Sequence, residues 1–183
     1  TETLAGNGTT GNANGTGAAA RFNRPFGMVA DQQGNVYIAD MDNHTIRRMT
    51  PAGEVTTLAG TAGQANFTDG IGAAARFRNP TALALDPTDK FLYIADRLNH
   101  RIRMLDLTTG AVTTLAGTGT DAFRDNLADG TLASFNQPSA LAVDPQGNLV
   151  VTDQFNHRIR KVLNNSALPA GGNALNFDGV NDL

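Results

Sequence analysis

Cysteine is absent from this chain, and several residue types that build reactive or nucleic-acid sites are scarce. Without cysteine, a disulfide framework and a thiolate metal site are both excluded. Lysine occurs only at Lys90 and Lys161, and glutamate only at Glu2 and Glu54. The formal net charge is −3. A mildly acidic chain lacks the basic surface that binding to a phosphate backbone requires, so we expect no nucleic-acid partner.

Long hydrophobic runs are missing as well. No stretch approaches the roughly 20 apolar residues that a transmembrane helix needs, so we predict no membrane span. No charged segment followed by an apolar one opens the chain, as a secretory leader would. The chain begins at Thr1 and not at Met, which favours a processed or excised piece of a larger protein.

Three copies of one sequence unit fill most of the chain. An Asn-His pair, which accounts for every histidine, recurs at Asn43-His44, Asn99-His100 and Asn156-His157. A Thr-Leu-Ala-Gly marker begins at Thr3, Thr57 and Thr114. An apolar run that closes in aspartate ends at Asp31, Asp86 and Asp144. These markers advance by about 54 to 58 residues, and self-similarity at a fixed period is typical of a repeat architecture.

Each unit is predicted to hold four short strands joined by tight turns. In the first unit, Pro25 opens the apolar run Phe26 to Ala30, which has the pattern of a strand buried on both faces. The other strands follow over residues 36–39, 44–49 and 55–59, separated by Gly, Pro, Asn and Asp turns. The third unit lacks a fourth strand, whereas Thr1 to Gly6 is predicted to be an extra strand of that type. This offset suits a propeller whose first strand completes the last blade.

A long loop separates the units, over residues 7–24, 60–79 and 117–137. Each loop runs from the outer strand of one unit to the inner strand of the next, so we expect all of them on one face of the ring. Loops on a rigid scaffold carry recognition, and this face is therefore the predicted binding surface. Near the end of the loops stand Phe22, Phe77 and Phe135, which we expect to be buried anchors.

The sequence Asp-x-x-Asn-His-Arg-Ile-Arg resembles the NHL repeat. It is preceded by Pro-x-x-Leu-Ala-Val-Asp and Gly-Asn-Leu-x-Val-x-Asp, and the resemblance covers Thr3 to Leu163. It implies an all-β fold, namely a β-propeller segment of three four-stranded blades. Propellers of this type commonly have six blades, so further blades or a second copy are needed to close a ring. Such domains are also implied to act as binding modules.

The end of the chain does not match the repeat. Residues 164–172 are polar and rich in Gly, as a linker is. The segment from Ala174 to Leu183 resembles the opening strand of a laminin-G-like or concanavalin-like jelly roll. We therefore predict a propeller segment over residues 1–163, a linker, and the start of a second domain over residues 173–183.

The three histidines could suggest a metal cluster, but each occupies the same place in its own repeat. A catalytic site needs different residues that converge, whereas the repetition of one residue indicates a structural role. We therefore predict that His and Asn hold a turn against the aspartate at the strand end. In register with them, the Arg stems are predicted to pack between blades while the guanidinium meets an Asp. This structural motif comprises Asp40, Asn43, His44, Arg47, Asp96, Asn99, His100, Arg103, Asp153, Asn156, His157 and Arg160.

No catalytic residue, metal site or cofactor is predicted. If a cation binds, calcium is the candidate, at Asp121, Asp125 and Asp129 in the third loop, although their spacing matches no known calcium loop. Asp69-Gly70 and Asp129-Gly130 precede small helical turns, which favours a capping role. The innermost strands offer no His or Glu to a central channel.

The prediction for function is a non-catalytic binding or scaffolding module of a secreted bacterial multidomain protein, extracellular or at the cell surface. Its ligand, a protein or a carbohydrate, is not specified by the sequence. The alternative is part of a metal-dependent propeller lyase or hydrolase whose active residues lie mostly outside this segment.

Overall fold

The structure is a computed structural model and describes residues 1–126 and 129–163. Within them the fold is all-β, and its helical segments are single 3₁₀ turns. The strands form three antiparallel sheets that follow one another along the chain. Each sheet is one blade. The predicted linker and second domain lie outside the described residues.

The three blades have the following strands. The first blade contains β1 (Gly15–Thr16), β2 (Pro25–Ala30), β3 (Val36–Asp40), β4 (Thr45–Met49) and β5 (Glu54–Ala59). The second blade contains β6 (Gly70–Ile71), β7 (Pro80–Leu85), β8 (Phe91–Asp96), β9 (Arg101–Asp106) and β10 (Ala111–Ala116). The third blade contains β11 (Pro138–Val143), β12 (Leu149–Asp153) and β13 (Arg158–Val162).

The first two blades each gain a short fifth strand that the sequence did not predict. β1 and β6 lie within the long loops and pair with the outer strands β5 and β10. Each has two residues, begins with glycine and leads directly into a 3₁₀ turn. The loop therefore crosses the end of its blade to the outer edge before it returns to the inner strand.

The turn between the second and third strands of each blade is built by the Asn-His pair. Here a 3₁₀ turn ends at the histidine, whose backbone is left-handed with φ of 59°, 54° and 55° at His44, His100 and His157. Histidine is one of the few residues with a Cβ that is enriched in this conformation. The turn reverses the chain at once, so that Asp40 pairs with Thr45 and Asp96 with Arg101.

Two hydrophobic clusters join the blades, one at each interface between neighbours, which we call a seam. In the first seam, Tyr37 and Ile46 of the first blade pack against Phe77, Leu83 and other residues of the second. In the second seam, Tyr93 and Ile102 of the second blade pack against residues of the third, namely Ala133, Phe135, Leu149, Val151 and Val162. We call the face of a blade toward the next blade its trailing face and the opposite face its leading face.

The inner strands β2, β7 and β11 lie side by side, with β7 in the middle. The prediction that an inner strand is buried on both faces is right for β7 and wrong for β2. Met28 of β2 is 66% exposed, whereas the equivalent Leu83 is 7% exposed. The reason is that the first blade covers the leading face at Leu83, whereas no blade in the described part of the chain covers it at Met28.

The prediction of a strand over Thr1 to Gly6 is wrong. A strand needs a hydrogen-bonding neighbour, and no described strand lies beside this segment. The end of this segment nevertheless makes the same backbone hydrogen bond as the residue after an outer strand. The Gly6 amide donates to the Gly17 carbonyl at 3.0 Å, as the Gly60 amide does to Gly72 at 3.1 Å.

No described helix is long and apolar enough to cross a membrane.

Candidate functional site

The long loops and the Asn-His turns lie at the same end of their blades. β5 ends at Ala59, which pairs with Ile46 at the start of β4, next to the turn. The amide of each motif asparagine also donates to a loop carbonyl, from Asn43 to Gly11, from Asn99 to Asn66 and from Asn156 to Ala122. We call this end of the blades the loop face.

Beneath the loop face of each blade lies a buried ion pair. In the second blade, Asp96 accepts hydrogen bonds from the Arg103 guanidinium at 2.9 Å and from the Asn99 amide at 2.8 Å. The backbone N–H of Arg78 donates to its other oxygen at 2.8 Å. Burial raises the pKa of Asp96 to about 6, although the charge of Arg103 opposes that shift. The same pairs, Asp40 with Arg47 and Asp153 with Arg160, lie in the other two blades.

Each of these arginines has a second polar partner, supplied by its loop. Arg103 donates to Asp69 at 2.6 Å and Arg160 to Asp125 at 2.6 Å. In the first blade the partner of Arg47 is a neutral side chain, Asn14, at 2.9 Å. The loops are therefore fixed to the blades by the buried guanidinium groups.

The structure separates the three aspartates that were the calcium candidates. Asp125 forms the ion pair with Arg160, and Asp129 caps a 3₁₀ turn by accepting from the Thr131 amide at 2.8 Å. Asp121 is exposed in the same loop. No group of three or more potential metal ligands occurs among the residues that the structure describes.

Capping was predicted at both Asp69 and Asp129, and at Asp69 it is wrong. The 3₁₀ turn of that loop begins after Ile71, and the turn of the third loop begins after Asp129. The two Asp-Gly pairs are thus not equivalent, because the equivalent of Asp69 is Asp125. The segment from this aspartate to the loop phenylalanine is two residues longer in the third loop (Asp125 to Phe135) than in the second (Asp69 to Phe77), which hid this relation in the sequence.

The histidines make a contact that the sequence did not predict. His44 Nδ1 accepts a hydrogen bond from the backbone N–H of Asn79 at 3.2 Å, and His100 Nδ1 accepts one from Gln137 at 3.2 Å. Both donors belong to the following blade. Burial is the largest cause that lowers the pKa of both imidazoles, which favours the neutral form that can accept at Nδ1. Within the described residues it is thus asparagine that holds the motif aspartate, while histidine crosses the seam.

Two arginines stack on loop aromatics, which sequence reasoning also missed. The guanidinium of Arg101 lies 3.7 Å from the ring centre of Phe67, and that of Arg158 lies 3.8 Å from Phe123. One pattern in the sequence could have indicated these stacks: a phenylalanine stands two residues before each loop aspartate that pairs with a buried arginine. The first loop has Asn12 at that place, and Thr45 replaces the stacking arginine.

At the opposite ends of the blades, the aspartates that end the inner apolar runs cap the turns of the inner hairpins. Asp31 accepts from the amides of Gln33 and Asn35, and Asp86 accepts from those of Thr88, Lys90 and Phe91. Although burial raises the pKa of both carboxyl groups, hydrogen bonds from the Asn35 side chain and from these amides lower the pKa of Asp31, and those from the Thr88 side chain and amides lower that of Asp86. These carboxylates are therefore committed to turns.

A cavity of about 310 Å³ opens on the loop face where the inner strands begin, and we call it the mouth. All three blades contribute side chains to it. Its lining consists of Arg24, Phe26, Met41, Thr81, Arg97, Ser139 and Gln154. Two repeat positions supply six of these residues: the one after the proline of each inner strand and the one after the motif aspartate. These positions carry no His or Glu, and they differ between the repeats, so no repeated pattern in the sequence indicates them.

Comparisons with known proteins agree with this architecture. Two segments match the NHL repeat, residues 22–49 and 135–162, which lie in the first and third blades. NHL repeat-containing protein 2 of Bos taurus is 38% identical over 104 residues, which is 56% of this chain and 14% of that protein. The chain thus spans a small part of that relative.

Two solved structures show the same fold. An auxiliary nutrient binding protein from Bacteroides thetaiotaomicron VPI-5482 superposes with a TM-score of 0.60 at 29% identity, over 73% of this chain and 36% of that one. A chain of the nidogen/laminin complex superposes with a TM-score of 0.56 at 19% identity, over 79% of this chain and 46% of that one. The resemblance to the NHL repeat is therefore confirmed for residues 22–49 and 135–162, and the described chain folds as successive blades of a β-propeller.

Proposed function

We propose that this chain is a non-catalytic binding module that engages its partner through the loop face. The observation that supports the proposal is that the recurring residues of that face are engaged in structural hydrogen bonds, whereas variable residues are exposed. The motif aspartates and the seam histidines His44 and His100 are bound within or between blades. Residues at positions that differ between the repeats remain available, with Phe26 63% and Phe155 50% exposed. Exposed aromatic side chains on a rigid scaffold are typical of recognition surfaces.

The proposal places the module in a secreted or surface-attached bacterial protein with further domains. Its support is the likeness to a nutrient binding protein from Bacteroides thetaiotaomicron, of which this chain covers 36%. The chain's own mildly acidic composition and lack of cysteine are compatible with that location.

We further propose that another blade covers the trailing face of the third blade, from a second copy or from a longer chain. Ile159 on this face is 69% exposed, whereas the equivalent Ile46 and Ile102 are fully buried. In the two seams the amide that binds histidine belongs to the residue before the proline of the next inner strand. Arg24 is that residue in the first blade, and its left-handed φ of 53° equals that of Asn79. The first blade of a second copy therefore has a backbone N–H, that of Arg24, at the position from which His157 would accept a hydrogen bond.

The binding role is tested on microarrays that carry acidic glycans, neutral glycans and peptides. We expect the chain to bind a defined subset, and Phe155→Asp to abolish that binding. Gln33→Asp is the matched control, because Gln33 is exposed at the opposite end of a blade. Absence of all binding, or binding that survives Phe155→Asp and is lost in Gln33→Asp, would show that the loop face is not the recognition surface.

A further inference from the structure

We propose that the mouth binds the carboxylate of an acidic sugar. This inference rests on the binding role proposed above and names its ligand class. It is carried by three features of the cavity: a buried hydroxyl group that has no partner, two arginines without a carboxylate in the lining, and an exposed aromatic ring beside neutral polar groups.

The hydroxyl group belongs to Thr81. This residue is 2% exposed and lines the mouth, and its Oγ1 has no hydrogen-bond partner among the described residues. In the third blade the equivalent Ser139 is paired, because its Oγ lies 2.9 Å from Thr152 Oγ1. The second blade has Ala95 at the place of Thr152, so Thr81 lacks that neighbour. A buried hydroxyl group that the fold does not satisfy is destabilising, which points to a partner that the protein itself does not supply.

The two charged side chains that line the mouth are both positive. Arg24 and Arg97 belong to its lining, which contains no Asp or Glu. Arg24 reaches Asp42 outside the cavity at 3.1 Å, and two thirds of its side chain is exposed. The Arg97 guanidinium forms no ion pair with any residue in the described ranges. Two guanidinium groups beside neutral donors match a carboxylate, which accepts paired N–H bonds.

The rest of the lining suits a hydroxylated ring. Phe26 presents an exposed aromatic surface, and Ser139 and Gln154 offer neutral donors and acceptors. A volume of about 310 Å³ is at the lower end of the range of small-molecule sites, so one sugar ring fits better than a folded peptide segment. Together with the arginines, these groups favour a uronic acid over a neutral sugar and over an acidic side chain.

The site is held by regular structure. Thr81 and Ser139 lie near the start of inner strands, and Arg97 and Gln154 begin 3₁₀ turns that the motif aspartates precede. The first two blades approach closely here, because a methyl group at Gly27 would collide with the carbonyl oxygen of Thr81. Little ordering is therefore needed when a ligand enters, which favours binding.

The test is isothermal titration of the whole chain with glucuronate, glucose, inorganic phosphate and a short acidic peptide. We expect glucuronate to bind and the other three probes to bind at least about tenfold more weakly. Arg97→Gln should weaken the binding of glucuronate by about tenfold to a hundredfold, as the loss of a charge-assisted hydrogen bond does. Arg78→Gln is the matched control, because Arg78 is an exposed arginine of the same face outside the mouth.

Thr81→Val separates a binding role from a structural one. The change removes the hydroxyl group and keeps the β-branched shape, so we expect weaker binding of glucuronate with an unchanged or higher melting temperature. A lower melting temperature with unchanged affinity would overturn the role of Thr81 as a ligand group.

Stronger binding of phosphate or of the acidic peptide than of glucuronate would overturn the proposed ligand class. If no probe binds while the microarrays still show binding that depends on Phe155, the mouth assignment fails and the binding role stands. If the microarrays show no binding either, both fail together.

Discussion

The trailing faces of the second and third blades present nearly the same residues in two different environments. Ile102 is fully buried against the third blade, whereas Ile159, at the same place one repeat later, is exposed. His100 accepts an amide hydrogen from the next blade, whereas no blade follows His157 within the described residues. This comparison indicates that the repeat motif supplies the residues of a seam, and that these residues become buried only where another blade is present.

The leading faces of the first and second blades also differ in exposure. Leu83 is covered by the first blade, while Met28 of the first blade is exposed. Each open face therefore has the residues that the partner face of a seam would bury.

The largest expected effect comes from breaking a buried ion pair within a covered blade. Arg103→Met leaves Asp96 and Asp69 without their guanidinium partner, so we expect a loss of about 3–5 kcal/mol in the free energy of unfolding. Chemical denaturation measures it. Arg158→Met on the uncovered blade removes an exposed stack on Phe123 and an exposed hydrogen bond to the Asn156 carbonyl, and should cost about 1 kcal/mol or less. Equal losses in both variants would contradict the distinction.

The loop anchors provide the second test. Phe77 and Phe135 are fully buried, as the sequence predicted, whereas Phe22 is only half-buried on the open side of the first blade. Phe77→Ala should cost about 3–5 kcal/mol and Phe22→Ala clearly less. Equal losses of stability for the two variants in urea denaturation would contradict the expected difference between a covered and an open anchor.

The equivalent isoleucines give the closest matched pair. Ile102→Ala should cost about 2–5 kcal/mol, since it leaves a cavity in the second seam. Ile159→Ala should stay within about 0.5 kcal/mol if its face is free, as exposed substitutions do. A large cost at Ile159 would instead reveal that another surface already covers it in solution.

The smallest expected effect is the pH dependence of the seams. The folded pKa values of His44 and His100 lie below 6.5, so the folded state binds fewer protons than the unfolded state. The stability from these two groups is present above pH 6.5 and is lost as the pH falls through their folded pKa values. His44→Gln combined with His100→Gln should flatten the dependence of the melting temperature on pH in this range.

The sequence predicted much of the fold because the repeats are regular. Strand order, the turn residues and the buried phenylalanines follow from periodicity and from local turn chemistry. The short strands β1 and β6 were missed because two residues in a Gly-rich loop carry no periodic signal. The exposure of β2 was missed because an apolar run does not tell whether a neighbouring blade is present.

The candidate site was less accessible from the sequence. The mouth is formed by positions that differ between repeats, namely Phe26, Thr81 and Ser139 after the inner prolines, whereas the periodic signal in the sequence lies in the residues that recur. The orphaned hydroxyl group of Thr81 depends on Ala95 in a neighbouring strand, which only the strand register reveals. Both the lining of the mouth and the unpaired hydroxyl group depend on contacts between side chains that are distant in the sequence.

The central claim is that the open trailing face of the third blade is one half of a seam. Sedimentation velocity of the chain at low micromolar concentration tests it most directly, with Ile159→Asp as the paired variant. We predict that the unchanged chain associates and that Ile159→Asp, which places a charge on that face, shifts it to a monomer of unaltered fold. A compact and stable monomer for both proteins would contradict the claim.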